Sequence, residues 1–435
     1  MVKSSLKKIV VWTLGVLAQG VLAKYKPRIV AVTGGVGKTS TKDAVFTVLS
    51  NFFYSARSRK SYNSELGLPL AILGEESGWG NPLRWAGVFT RGLLLIVFRM
   101  HYPKWLVLEA GVDRPGDMDR ANALIKSDVV VITALPKTPP HIEFFVSNEE
   151  LFKEKLKLAK SLKKDGVFIL NADDENVMKY GMAIVPPERR IITYGFADGA
   201  TVRGSEERII YDDATGFPTG VSFNFNYAGN VVPVKIAGAL GRGHTLSALA
   251  GISAGIALDL GLLKIAESFR GHETPPGRMK LVCGVNGSLI IDDTYNASPE
   301  AARLALETFA GIPARGKKIV VLGDMLELGE ETIPSHEKVG RDVPKGVALV
   351  VLVGQRAKYI ANTLDEAGIK KSQVKFYDRA EQAGRYLSKK LEKGDIVLVK
   401  GSQYMRLEKV VYELMEEKDL RKKYLVRQDA DWENR

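Results

Sequence analysis

The stretch that most constrains this chain runs from Arg28 to Asn51. A short apolar run, Arg28-Ile29-Val30-Ala31-Val32, leads into Thr33-Gly34-Gly35-Val36-Gly37-Lys38-Thr39, and Ser40 to Asn51 then reads as a helix. An apolar strand without polar alternation belongs inside a sheet covered on both faces, and the following helix must pack back on it. The glycines between them permit positive φ and let backbone N–H groups face an anion. The helix N-terminus adds its partial positive charge. Lys38 is then placed to bridge the β and γ phosphates of a nucleotide and Thr39 to set its hydroxyl on Mg²⁺, with Thr33, Gly34, Gly35, Gly37 and Ser40 completing the cradle. The commoner form of this loop has a glycine where this chain has Val32; here the motif is the compact Thr-Gly-x-x-Gly-Lys-Thr.

Beyond the loop, strand and helix signals alternate. Trp105 to Glu109, Asp128 to Thr133 and Gly166 to Asn171 read as strands, and Glu149 to Lys164 as a helix. Such alternation predicts an α/β fold with a parallel sheet. Residues 190–235 change to β-branched, aromatic and polar alternation with glycines, which predicts a small antiparallel annex. Thr274-Pro275-Pro276-Gly277 cannot continue a helix or a central strand and reads as a linker and hinge. A second, Rossmann-like α/β pattern follows, with strands at Ser288 to Asp292, Lys318 to Leu322, Ala348 to Val353 and Asp395 to Val399. The expected division is therefore residues 1–27, a short apolar helix; 28–274, a central nucleotide-binding domain; and 275–435, a C-terminal domain. The charged tail from Glu416 is expected to fray.

At 435 residues with 45% hydrophobic content the chain has enough apolar residues for more than one core. A single cysteine, Cys283, excludes an internal disulfide framework, fits a reducing cytoplasmic compartment and reads as a packing residue. The net charge of +12 comes without an arginine-rich array interleaved with aromatics, so anionic small substrates and a membrane surface are favoured over nucleic acid. Ile9 to Ala23 is apolar but for Thr13 and Gln19 and is bracketed by Lys7, Lys8, Lys24 and Lys26. It is short of the roughly 20 apolar residues that span a bilayer. An interfacial helix anchored by lysines and a helix packed on the protein's own core are both open. A second such stretch, Pro82 to Trp105, has an apolar block between Arg91 and Arg99, and the pair raises the expectation of peripheral membrane contact.

Taken together, the motifs resemble the Mur ligase family, which forms amide bonds at the expense of ATP. The resemblance is carried by the compact loop, by Asn63-Ser64-Glu65-Leu66-Gly67-Leu68-Pro69, and by Leu108-Glu109-Ala110-Gly111. It continues in His141 with Phe145, Ser147 and Lys155, then Gly277-Arg278, Asp292-Asp293-Thr294-Tyr295-Asn296-Ala297, Gly323-Asp324-Met325-Leu326-Glu327 with His336, and Lys400-Gly401-Ser402. It spans roughly residues 28 to 415, and its C-terminal motifs are closest to the branch that adds D-alanyl-D-alanine to a cell-wall peptide precursor.

The resemblance implies a role for each residue. Glu109, His141 and Lys155, the last carbamylated, join Thr39 in holding Mg²⁺, and with Lys38 form the catalytic set. Arg278 meets the ATP phosphates, Asp293 the ribose hydroxyls and Asn296 the adenine surroundings, while Asn63, Asp324 and Lys400 face the substrates. The implied reaction is transfer of the γ-phosphoryl group to a carboxylate, then attack by an amino acid or dipeptide amine, in a monomer. Two departures stand out. The family's His-Asn-x-x-Asn is here His244-Thr245-Leu246-Ser247-Ala248, so adenine recognition must differ. Only about 27 residues precede the first strand, too few for a UDP-sugar domain, which puts the acceptor in question. The alternatives are a P-loop NTPase switch, which hydrolyses without an amine acceptor, and a related ligase acting on a folate or polymer carboxylate.

Overall fold

The structure is a computed structural model that describes residues 2–58, 65–78, 80–136, 144–186, 188–428 and 432, with side chains from residue 7 onward. Among these residues the chain forms two compact units. One comprises residues 1–206, 223–234 and 245–272; the other comprises 207–222, 235–244 and 273–435.

The first unit opens with helix α1 (Val2–Tyr25), strand β1 (Arg28–Thr33) and helix α2 (Lys38–Ser50). Strand β2 (Ser55–Arg57), helices α3 (Gly67–Leu73) and α4 (Pro82–Val97), strand β3 (Trp105–Glu109), helix α5 (Asp117–Leu124) and strand β4 (Ser127–Ile132) follow. Helix α6 (Asn148–Leu156), strands β5 (Leu162–Asn171) and β6 (Arg190–Gly195) complete the parallel part. The sheet order is β2-β3-β1-β4-β5-β6, continued by β7 (Val202–Tyr211), β8 (Pro218–Tyr227) and β9 (Asn230–Ala237), of which residues 207–211, 218–222 and 235–237 are counted with the other unit. Strand β1 lies between β3 and β4, parallel to both, with Val32 opposite Glu109 and Thr33 opposite Ile132. Being central, it is buried along its whole length after Arg28, as its unbroken apolar run requires.

The annex is not a separate sheet. Its strands extend the main one, and β8 turns into β9 through Ala228 and Gly229, both at positive φ (48° and 78°), the geometry of a two-residue hairpin turn. The helix expected over 149–164 stops at Leu156. A 3₁₀ turn covers Lys157–Ser161, and β5 starts at Leu162, where Ser127 pairs with Leu162 and the Ser127 and Ser161 hydroxyls meet at 2.9 Å.

The second unit is built on β10 (Lys280–Gly284), β11 (Ser288–Asp293), β12 (Lys318–Gly323), β13 (Leu349–Val353), β14 (Val374–Tyr377) and β15 (Ile396–Lys400) in the order β10-β11-β15-β12-β13-β14. Only the β10–β11 pair among them is antiparallel. The chain is thus the mixed α/β fold anticipated, a large sheet that is mainly parallel plus a second sheet. Two local expectations fail. Cys283 is exposed on β10, whose pleat turns it outward. The tail does not fray at Glu416: its N–H donates to Cys283 O at 3.1 Å, and Leu425 is buried in the second unit's core. An apolar contact that deep offsets the entropy of ordering a charged segment.

Candidate active site

In the first unit the phosphate loop rests on a floor supplied by the segment that follows β4. Gly35 N donates to Ala134 O at 2.6 Å, and the Thr133 hydroxyl donates to Val36 O at 2.6 Å. The approach is close enough that a Cβ on Gly34 would sit 2.1 Å from Thr133 Oγ1, and one on Gly35 2.6 Å from Pro136. Gly37, at φ 79°, is the N-cap of α2 and has no side chain to occupy the first-turn amides, which leaves that end suited to an anion. Lys38 folds over the loop, donating to Gly34 O and Gly35 O at 3.2 and 3.3 Å.

The parallel register carries Glu109, at the end of β3, to the same edge. It is buried, and its Oε2 accepts from the Thr39 hydroxyl at 2.9 Å. Thr33 ties the two strand ends together by donating to Ala110 O at 2.8 Å. Lys155, on α6, is 2% exposed, and its Nζ lies 3.5 Å from Val112 O in the turn after Glu109. Burial, reinforced by the Lys38 charge, pulls the Lys155 ammonium down to a pKa of about 7 despite the opposing pull of Asp113, Asp117 and Glu154. Ser40 is buried in the first turn of α2.

Thr39 and Glu109 thus meet at the end of β3, and Lys155 of α6 packs against the turn that follows that strand. His141 and Asn63 lie outside the described residues. Among the described residues no group of three His, Cys, Asp or Glu side chains is placed to hold a metal ion. The donors present, a threonine hydroxyl in contact with a carboxylate, are hard oxygen ligands of the kind Mg²⁺ takes, so they fit the ion.

The second unit gathers another part of the predicted set. Asp293 ends β11 beside Lys400 at the end of β15, and their ion pair closes at 2.6 Å with Lys400 3% exposed. Lys400 also donates to Asn296 O at 3.0 Å, and Asp293 Oδ1 accepts from Met279 N at 3.1 Å. The Arg278 guanidinium stacks 4.0 Å from the Tyr295 ring centroid. Its carbonyl lies 2.7 Å from His244 Nε2; a carbonyl can only accept, so Nε2 carries the proton, and burial holds the ring's pKa below its usual value. Thr245 and Ala248 are fully buried. Asp324 is placed differently: its Oδ1 accepts from Arg356 N and Ala357 N at 3.0 and 2.7 Å, anchoring the turn after β13.

Two residues with a structural hold on these sites escaped the motif reading. Glu154 accepts from Gly116 N and Met118 N at 2.9 and 3.1 Å, fixing α5 to α6 next to Lys155. Arg427, in the tail, pairs with buried Glu408 at 2.8 Å and donates to Thr294 O and Tyr295 O, the backbone between Asp293 and Asn296. The only sequence signal for either is a charge within an otherwise solvent-like segment, which does not distinguish them from their neighbours.

Comparison with known proteins decides the family. The Mur ligase middle domain matches residues 90–255, and the Mur ligase glutamate ligase domain matches residues 277–403. The chain belongs to the Mur ligase family. It is 28% identical over 404 residues to the UDP-N-acetylmuramoyl-tripeptide–D-alanyl-D-alanine ligase of Bacillus subtilis, covering 92% of this chain and 78% of that protein. It is 27% identical over 406 residues to the Rickettsia prowazekii ligase of the same name, covering 89% and 78%. Among solved structures, the MurF ligase of Thermotoga maritima in complex with ADP superposes with a TM-score of 0.73 at 26% identity, covering 94% of this chain and 84% of that one. This Mur ligase therefore shares with its relatives a fold and about a quarter of the aligned residues.

Proposed function

We propose that this Mur ligase joins an amine, D-alanyl-D-alanine or a close analogue, to the terminal carboxylate of an anionic cell-wall peptide precursor, forming ADP and phosphate. It acts as a monomer on the cytoplasmic side of the cell, at the inner face of the membrane. Residues 28–274 serve as its ATP-binding module and 275–435 as its second module, hinged at 274–277. The observation that carries the reading is the Thr39–Glu109 contact at the end of β3, with Lys38 over the phosphate loop and buried Lys155 against the turn that follows β3.

The bond changes balance. A carboxylate oxygen attacks the γ-phosphorus and ADP leaves; the amine nitrogen then attacks the acyl carbon, phosphate leaves and the amine gives up a proton. Both reacting partners are anionic, so positioning and charge neutralisation do most of the work. Lys38 and the α2 N-terminus receive the phosphates. Thr39 and Glu109 would hold Mg²⁺, which supplies charge neutralisation at the phosphates when bound. A pKa near 7 leaves a large fraction of Lys155 as the neutral amine. That is the form that adds CO₂, giving a carbamate and a proton and turning a cation into an oxygen ligand. Arg278, Asp293 and Asn296 are assigned to the nucleotide, Asn63 to the reacting substrates and His141 to the metal, while Asp324 and Lys400 serve the substrates only through the segments they brace.

The test is ADP release measured with the UDP-linked muramoyl tripeptide and D-alanyl-D-alanine, together and singly. Release that needs both, with an amide product, is expected. Equal release without either would overturn the ligase reading in favour of an NTPase switch.

A further inference from the structure

We propose that the outer faces of α1 and α4 form a single membrane-binding surface that sits on anionic phospholipid headgroups, with neither helix crossing the bilayer. This deepens the placement at the membrane given above but does not depend on the ligase reaction.

The two helices pack on the first unit's core with opposite faces of unlike exposure. Leu14, Ala18 and Val21 of α1 are completely buried, while Ile9, Trp12 and Val16, spaced three and four apart, are 60%, 70% and 47% exposed. On α4 the buried residues are Val88, Gly92 and Leu95. Its outward residues Leu83, Leu93 and Val97 are 83%, 56% and 61% exposed, and Phe98 beyond it is 59% exposed. Large apolar side chains in that density are uncommon on a monomer's water-facing surface. A tryptophan among them suits the headgroup boundary.

The helices are joined closely. A Cβ on Gly92 would lie 3.0 Å from Leu17, and one on Gly20 would lie 2.7 Å from Ile96. The α4 C-terminus, whose carbonyls a helix cannot satisfy itself, is served by α1. Lys24 donates to Leu95 O, Ile96 O and Phe98 O at 2.9, 2.9 and 2.6 Å, and the Tyr25 hydroxyl to Leu95 O and Phe98 O. The carbonyls beside exposed Val97 and Phe98 are thereby given donors from within the protein. A backbone that must enter a medium poor in water needs that arrangement.

Charge selects the occupant. No Asp or Glu occurs from Met1 to Lys42 or from Ser77 to Leu108, segments that contain both helices. Lys7, Lys8, Arg84 and Arg99 are exposed at their ends. A second copy of the chain would set this charge against itself, whereas an anionic bilayer complements it. Among the described residues no helix is long and apolar enough to cross a membrane, so the contact is interfacial.

The experiment is flotation of the full chain with vesicles of phosphatidylcholine alone and of phosphatidylcholine with phosphatidylglycerol. Co-flotation with the anionic vesicles, weakened by salt, is expected. The triple variant Trp12→Gln, Val97→Gln, Phe98→Gln should lose at least about tenfold of the bound fraction. The variant Lys7→Gln, Lys8→Gln, Arg99→Gln should lose binding to anionic vesicles specifically. Absence of flotation by the parent, or unchanged flotation by both variants, overturns the proposal. So does a dimer in sedimentation that the apolar variant dissolves, because the face then binds a second copy. Soluble ADP release, read in parallel, separates this outcome from the ligase reading: a protein that floats but makes no amide leaves the surface intact and removes the reaction.

Discussion

Lys155, on helix α6 of the first unit, and Lys400, at the end of β15 in the second, are both almost fully buried, yet they are held differently. Among the described residues Lys155 has no carboxylate in direct ion pair; burial first, then the Lys38 charge, pull its ammonium down to about pKa 7 against the weaker pull of Asp113, Asp117 and Glu154. Lys400 lies 2.6 Å from the Asp293 carboxylate and also donates to Asn296 O. A cation buried without a paired carboxylate is poised to lose its proton or to meet an anion. A cation buried against a carboxylate is a strut. The first arrangement suits chemistry at the phosphates; the second suits a rigid wall for a nucleotide.

The comparison breaks most visibly if the first lysine is removed. Lys155→Ala or Lys38→Ala should lower kcat by on the order of 10²–10³-fold or more, as for removal of a positioned electrostatic group. Thermal stability should hold, or rise for Lys155→Ala at low pH. Partial recovery of Lys155→Ala activity with a short-chain carboxylate would identify a carbamate as the missing group. Full activity in the alanine variant would remove Lys155 from the site.

The pH dependence follows from the same residue. Below its folded pKa of about 7 Lys155 is protonated; above it the amine is neutral. Between pH 6 and pH 8 the reactive fraction should rise roughly tenfold, and bicarbonate-dependent activation with it. For stability the sign is also set: between pH 7 and 10.5 the unfolded chain binds the proton that the folded chain has lost, so stability rises with pH there. The burial penalty is present in full below pH 7. Lys155→Met should therefore be stabilised relative to the parent at pH 6 and gain less at pH 9, in denaturant melts. Equal gains at both values would contradict the depressed pKa.

How much of this was readable in advance differs by residue. The loop from Thr33 to Ser40 is a local motif whose spacing alone dictates strand, turn and helix, so its geometry was legible. Glu109 and Asp293 were legible because a carboxylate at the end of an apolar strand must emerge at the sheet's edge. The ion pair of Lys400 with Asp293 was not, since it depends on β15 inserting between β11 and β12, a non-local choice of strand order. Arg427 was hidden for the same reason: its partners Thr294 and Tyr295 are 133 and 132 residues away. The early end of the helix at Leu156 was obscured because Lys157 to Ser161 has the composition of a helix, and β4 pairing overrides that propensity.

Removing the strut gives a smaller effect on rate and a larger one on folding. Lys400→Met leaves the Asp293 carboxylate without its ammonium and should cost about 3–5 kcal/mol, the usual range for breaking a buried pair from one side. The urea midpoint should fall more than for Lys38→Ala, while Lys400→Arg recovers part of it. A midpoint equal to the parent's would show that Lys400 does not brace the wall. Asp292, next along, offers a contrasting check. Its Oδ1 accepts from Thr294 N and Oγ1, and burial pushes the acid up to about pKa 7. The folded chain thus holds a proton that the unfolded chain releases above about pH 4, and stability falls as pH rises from 4 to 7. Asp292→Asn keeps the accepting oxygen and should gain stability over the parent at pH 8 relative to pH 5; no difference between the two would sink the assignment.

The smallest effect is expected at Arg427, which touches the segment proposed to face the nucleotide only through backbone carbonyls. Its guanidinium, 5% exposed, spans Glu408 and the carbonyls of Thr294 and Tyr295, and its own backbone sits at φ 58°, a conformation that a side chain adopts only under tertiary constraint. Arg427→Lys keeps the charge opposite Glu408 but cannot fork to two carbonyls. ATP binding should weaken by about 1 kcal/mol, roughly fivefold, from one lost hydrogen bond. The change should appear in KM for ATP and in ADP affinity by calorimetry, with kcat and the affinity for the amine substrate near the parent's. If instead stability falls while ADP affinity stays the same, Arg427 braces the tail alone, and the segment from Asp293 to Asn296 is held by Lys400 without help from the C-terminus.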